Sequence, residues 1–70
     1  MFDYSLLRGR ILAKYKTQEV FAEKLGITGH TLSFKLHNKT EWKQREILKA
    51  CEILKIRRED IGEYFFTPDR

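Results

Sequence analysis

Residues 17–40, TQEVFAEKLGITGHTLSFKLHNKT, decide the fold. Gln18, Phe21, Ala22 and Leu25 recur at i, i+3, i+4 and i+7, the stripe that a helix turns towards a core. Gly26 follows at the C′ position, where only glycine takes up the left-handed conformation without steric cost. Ile27 then drops back to the apolar side, and Thr28 is a good N-cap for a second helix. That helix carries Leu32 and Leu36 inward, four residues apart on one side. Ala22 falls where the second helix must cross closely, which favours a small side chain. The stretch therefore predicts two short amphipathic helices joined by a tight turn.

Outward from this pair, the spacing predicts three more helices. A first helix runs from about residue 4 to 15 with Tyr4, Leu7, Ile11 and Tyr15 as its core stripe; Asp3 can cap it, and Phe2 can staple onto Leu6 or Leu7. Thr17 caps the second, with Glu19 in its first turn and Lys24 in its last, both favourable for the helix dipole. The third spans residues 29–37 and stops in the polar turn His37-Asn38-Lys39-Thr40. A fourth, over about residues 43–54, places Ile47, Ala50, Cys51 and Leu54 on one face, behind a poor cap at Lys43. A short fifth covers about residues 58–66, ahead of Pro68. The expectation is an all-α fold of five short helices, in one domain over residues 1–70. Its core is built by Leu7, Ile11, Phe21, Ala22, Leu25, Ile27, Leu32, Leu36, Ile47, Cys51, Leu54, Ile61 and Phe65.

Size and composition narrow the function. A chain of 70 residues leaves too small a core for a buried catalytic cavity with its supporting shell, so a binding protein is expected rather than an enzyme. No apolar run approaches the ~20 residues of a membrane span, and Asp3, Arg8 and Arg10 interrupt the apolar stretch near the start. Cys51 is the single cysteine, which excludes an intramolecular disulfide and agrees with a reducing compartment, the cytosol. The net charge of +4 is uneven: ten Lys/Arg stand against five Asp/Glu up to Cys51, and four against five beyond it. The basic part contains the helix pair, which suits a polyanionic partner; lysines on helices are also commonly just solvated.

The pattern Gln18-x3-Ala22-x2-Leu25-Gly26-Ile27-Thr28-x2-Thr31-Leu32-Ser33-x2-Leu36-x-Asn38 resembles the Cro/CI-type helix-turn-helix family of phage repressors, a lambda-repressor-like fold with its helix-turn-helix over about residues 17–37. FDYSLLRGRI at the start, EILKACEIL in the middle and EYFFTP at the end are similar to the small Cro-like proteins of temperate phages. That group includes modulators of repression, which oppose a CI-type repressor in the lysis/lysogeny switch. The resemblance implies that the first helix of the pair crosses the DNA backbone and the second enters the major groove. It places Gln18, Asn38, Lys39, Thr40, Lys43 and Gln44 as phosphate-positioning residues, and Thr28, Gly29, His30, Ser33, Phe34 and His37 at the base-facing positions.

The helical wheel supports that face independently. At about 100° per residue, His30, Ser33, Phe34 and His37 fall within roughly 100° of one another, opposite Leu32 and Leu36. None of them is Arg, Lys, Gln or Asn, the side chains that read guanine or adenine edges bidentately. His30 or Ser33 could make single hydrogen bonds, and Phe34 could touch a thymine methyl. Two readings follow. In one, the chain is a Cro-like protein that binds operator DNA; in the other, it is an antirepressor-like modulator whose helix-turn-helix face docks on the CI-type repressor, with weak or no DNA binding of its own. Phe34 either folds back onto Leu12 or Trp42 or anchors a partner.

The remaining residues point to no further chemistry. His30 and His37 lie two turns apart with no Cys or carboxylate to complete a metal set. Cys51 lies on the apolar face of its helix, as a small core residue does. Glu59, Asp60 and Glu63 offset Arg57 and Arg58 or cap the last helix. No cofactor, metal or small-molecule substrate is expected. Of Tyr64, Phe65 and Phe66, at least two are expected in the core, and an exposed third would suit a homodimer contact.

Overall fold

Local signals set most of the helix ends. The first helix, α1, runs from Ser5 to Tyr15; Tyr4 at its N-cap makes no side-chain cap bond, and Asp3, one residue earlier, accepts the Ser5 N–H at 2.8 Å. That bond and the one from the Ser5 hydroxyl hold the Asp3 carboxyl below its ordinary pKa, the hydroxyl contributing most. Thr17 accepts from the Val20 N–H and opens α2, Gln18–Leu25. Gly26 closes it at φ 88°, its N–H reaching Ala22 O at 2.9 Å. Thr28 accepts from the Thr31 N–H at 3.1 Å and opens α3, Gly29–Leu36.

The fourth helix, α4, spans Gln44–Leu54. Lys43 offers it no side-chain cap, as its identity predicts, and Glu46 compensates by reaching back to accept the Lys43 N–H at 2.8 Å. The expected final helix is split: a 3-10 turn over Arg58–Asp60 leads into α5, Ile61–Phe65. The computed structural model describes residues 1–69. Among them are these five α-helices and no strand beyond an isolated antiparallel bridge between Phe2 and Pro68.

Helices α1 and α2 pack on each other, α2 packs on α3 and α4, and α1 also touches α4 and α5. The shared core holds Leu7 and Ile11 from α1, with Tyr4 just ahead of them, Phe21, Ala22 and Leu25 from α2, and Leu32 and Leu36 from α3, with Ala50, Cys51, Leu54, Ile56 and Phe65 completing it. Burial pushes the Cys51 thiol pKa up, which suppresses thiolate chemistry. Three expected core residues, Ile27, Ile47 and Ile61, are only half-buried and pack against its margin. Their positions in the stripe are right, but each lies at the edge of its interface. Ile56, outside any helix, takes a buried place.

Arg10 ties α1 to the end of α4. Its Nε and Nη2 donate to Leu54 O at 3.1 and 2.9 Å, Nη2 also donates to Lys55 O, and Nη1 donates to the Tyr64 hydroxyl. Lys14 donates to Ile53 O. Two cations on α1 thus answer carbonyls that the last turn of α4 leaves without intrahelical partners. Lys55 itself sits in the left-handed region at φ 57°.

A second tie joins the two termini to α3. The Asp3 N–H donates to Thr67 O and the Asp69 N–H to Met1 O, on one edge of the N-terminal segment. On the other edge the Asn38 amide takes the place of a neighbouring strand: the Phe2 N–H donates to Asn38 Oδ1 at 2.9 Å, and Asn38 Nδ2 donates to Phe2 O at 2.8 Å. Asn38 stands just beyond α3 at φ 62°, a conformation asparagine tolerates better than most residues.

Candidate interaction surface

Helix α3 presents two faces of opposite character. Leu32 and Leu36 are buried, and so is Lys35 between them. The Lys35 ammonium donates to Glu46 Oε1 at 2.9 Å and to Glu41 O at 3.0 Å, and lies 6.0 Å from the centre of the Trp42 ring. With side chains only 5% and 14% exposed, Lys35 and Glu46 clamp α3 to the start of α4. Burial raises the Glu46 pKa, but the Lys43 N–H and the Lys35 ammonium outweigh it and leave the carboxyl below its ordinary value. The helical spacing does not by itself predict this clamp. A signal for it exists, because Lys35 falls at i+3 from Leu32, inside the apolar stripe.

The outward face carries the expected residues. Phe34 is 41% exposed, and its ring lies 5.1 Å from that of His30. It is not peripheral core: the ring partners of Trp42 are Tyr4 and Phe65, and Leu12 is itself exposed. His30 and His37 are exposed, Ser33 is half-buried, and Gly29 is half-buried at the helix start. His37 Nδ1 lies 2.8 Å from Ser33 O, a hydrogen bond that puts the proton on Nδ1 and leaves Nε2 free. Thr28 is exposed, but its hydroxyl accepts the Thr31 N–H and donates to Thr31 Oγ1, so it serves the cap.

Around this face, Lys39, Thr40, Lys43 and Gln44 are exposed and Gln18 is half-buried at the start of α2. Asn38 departs from the expected phosphate-positioning set. Its amide is engaged at both ends by the Phe2 backbone, so it is a structural residue that fixes the end of α3. The Lys39 and Thr40 N–H groups both turn back to Phe34 O, at 2.8 and 3.4 Å, which wraps the connection over the last turn of α3.

The family model described as "Protein of unknown function (DUF739)" matches residues 1–68. The chain belongs to that family. It is also similar to the modulator of repression (MOR) of the temperate bacteriophage TP901-1 from Lactococcus lactis, whose solution structure aligns with a TM-score of 0.81 at 46% identity. That likeness covers 93% of this chain and 88% of that one. No curated protein sequence matches the chain. Identity at that level over nearly the whole length means a shared fold.

Of the three adjacent aromatics near the C-terminus, Phe65 is buried, Tyr64 is half-buried under Arg10, and Phe66 is 49% exposed. The Phe66 ring meets Phe2 edge-on at 5.6 Å. The aromatic contacts of Phe2 are Phe66 and Tyr4. No helix among the described residues is long and apolar enough to cross a membrane.

Proposed function

We propose that the chain is a modulator of repression, a non-enzymatic antirepressor that binds a phage CI-type repressor through the outward face of α3. The observation that carries the reading is Phe34, exposed on that face beside His30, where no neighbouring position offers a side chain suited to bidentate base contacts. A large apolar side chain held in water by a well-packed helix gains when a partner covers it. The similarity to the phage TP901-1 modulator of repression supports the same reading. Docking there would mask the surface with which the repressor reads its operator.

The Cro-like alternative draws on the exposed Lys39 and Lys43 beside α3. With Asn38 engaged elsewhere, the set of neutral donors expected to hold phosphates is smaller than the family pattern implies. A mobility-shift experiment on switch-region DNA separates the two. The repressor alone should retard the DNA, this protein alone should not do so at comparable concentration, and the two together should release it. Sequence-specific retardation by this protein alone, with the repressor still bound in the mixture, would replace the modulator reading by the Cro-like one.

A further inference from the structure

The last turn of α3 fixes how His37 can be approached. Ser33 O accepts twice from this one residue, from the His37 main-chain N–H at 3.0 Å and from ring Nδ1 at 2.8 Å. A carbonyl oxygen only accepts, so Nδ1 carries the hydrogen and the neutral ring keeps a bare lone pair on Nε2. That atom has no hydrogen-bond partner among the described residues. The side chain is exposed and stands three residues beyond Phe34, on the face whose other imidazole, His30, rests against the Phe34 ring.

What can meet such an atom is restricted. A phosphate oxygen also only accepts, so neutral Nε2 finds nothing to bond on a DNA backbone. In the major groove only the amino groups of adenine and cytosine could serve it. Arginine and lysine are the opposite case, with several donors and no acceptor. A surface that reads operator DNA is rich in them, because most of its hydrogen bonds go to phosphate oxygens.

Charge acts in the same direction. The charged groups on the elements around α3 are Glu19 on α2, whose side chain runs past Gly29, then Lys39, Glu41 and Lys43 in the connection to α4, and Arg45 in the first turn of α4. Asp3 and the Met1 ammonium belong to the N-terminal segment that Asn38 holds, and Lys35 is turned inward onto Glu46. Among the described residues no carboxylate forms an ion pair with either imidazole, so a proton taken up by a ring adds unbalanced positive charge to the face. Neutral rings admit a cationic surface. Protonated rings oppose it, and Nε2 becomes a donor that has nothing to offer a guanidinium or an ammonium.

We infer that His37 accepts, at Nε2, a hydrogen bond from an arginine or lysine of the repressor's operator-reading surface, and that His37 and His30 must be neutral to admit that surface. This rests on the repressor-binding reading and adds to it the atom that recognises the partner's chemistry.

The test begins with the full chain alone. Long-range proton–nitrogen spectra of the imidazoles near neutral pH should show His37 protonated at Nδ1 and bare at Nε2. Calorimetry with the repressor follows, between about pH 7.5 and about pH 5.5, a range over which imidazoles change charge. Wild type should bind at least about tenfold more weakly at the lower pH, and His37→Leu, which removes the acceptor, should bind about tenfold more weakly at the higher pH. His37→Gln carries an amide oxygen about as far out as Nε2 and does not titrate. It should bind within about threefold of wild type at the higher pH and lose most of the pH dependence, His30 accounting for the rest. A hydrogen on Nε2 of His37, a His37→Leu variant that binds like wild type, or a His37→Gln variant with the full wild-type pH dependence overturns the assignment. Each of these leaves the repressor-binding reading in place as long as wild type binds and Phe34→Ala weakens it. No binding by wild type at the higher pH ends that reading, and this one with it.

Discussion

Removing the carboxylate of Glu46 should cost more stability than removing any exposed charge on the molecule. In Glu46→Gln the Lys35 ammonium stays 5% exposed, with the neutral amide oxygen and Glu41 O as its acceptors and Trp42 beside it, but with no negative charge against it. Breaking a fully buried pair from one side costs about 3–5 kcal/mol because the surviving charge is left uncompensated. Glu46 is 14% exposed, so water can share the load, and about 2–3 kcal/mol is the appropriate scale. A chain of this length has a total stability of roughly 4–10 kcal/mol, and the loss should lower the melting temperature by roughly 10–20 °C. Lys35→Met removes the cation instead and should cost less, about 1–2 kcal/mol, since Glu46 keeps the Lys43 N–H. The double variant should recover at least about 1 kcal/mol relative to the sum of the singles. Thermal and urea melts followed by circular dichroism measure all four corners of the cycle. Strict additivity, or a Glu46→Gln melting temperature within a degree or two of wild type, would refute the clamp. The pH dependence has a defined sign. The Glu46 pKa is lowered in the folded state, so its contribution is complete above the ordinary glutamate value of about 4.3 and is lost as pH falls through the lower folded value. Glu46→Gln should flatten that part of the stability profile.

Leu32 is fully buried, and Leu32→Ala should cost about 2–5 kcal/mol, enough to unfold much of the population at 37 °C; an unchanged melting temperature would show that α3 is not docked on this core. Asn38→Ala deletes both hydrogen bonds to Phe2, and about 1–2 kcal/mol should be lost, with faster amide exchange at Phe2 as the local signature. Phe34→Ala should leave the melting temperature within a few degrees of wild type yet weaken repressor binding by about 2 kcal/mol or more by calorimetry; normal pairing with the repressor would remove Phe34 as anchor. Neutralising Lys39 or Lys43 should weaken any DNA binding about equally on all sequences and reduce the salt slope by roughly one per lost contact, so loss of specificity at constant salt slope contradicts a phosphate role.

The chain of local signals was legible before any coordinates. Thr17, Gly26 and Thr28 act within three or four residues of themselves, through a cap hydrogen bond or a backbone angle, and they set the ends of α2 and the start of α3 where the spacing placed them. The same holds for the apolar stripes, because a helix lines up residues three and four apart whatever it later meets. The exposure of the Phe34 face followed from that geometry alone, since it lies opposite Leu32 and Leu36. Periodicity names a face but not its distance from the edge of an interface, which is why Ile27, Ile47 and Ile61 were placed deeper than they lie. Lys35 shows the complementary limit. Only the docking of α4 brings Glu46 and Glu41 O to its ammonium, and without them a buried lysine would be too costly to expect. Asn38 answers a segment 36 positions away, and Phe2 meets Pro68 across almost the whole chain. Such contacts exist only once the helices have packed, because nothing within a few residues of Asn38, Phe2 or Trp42 specifies which distant group will arrive beside them.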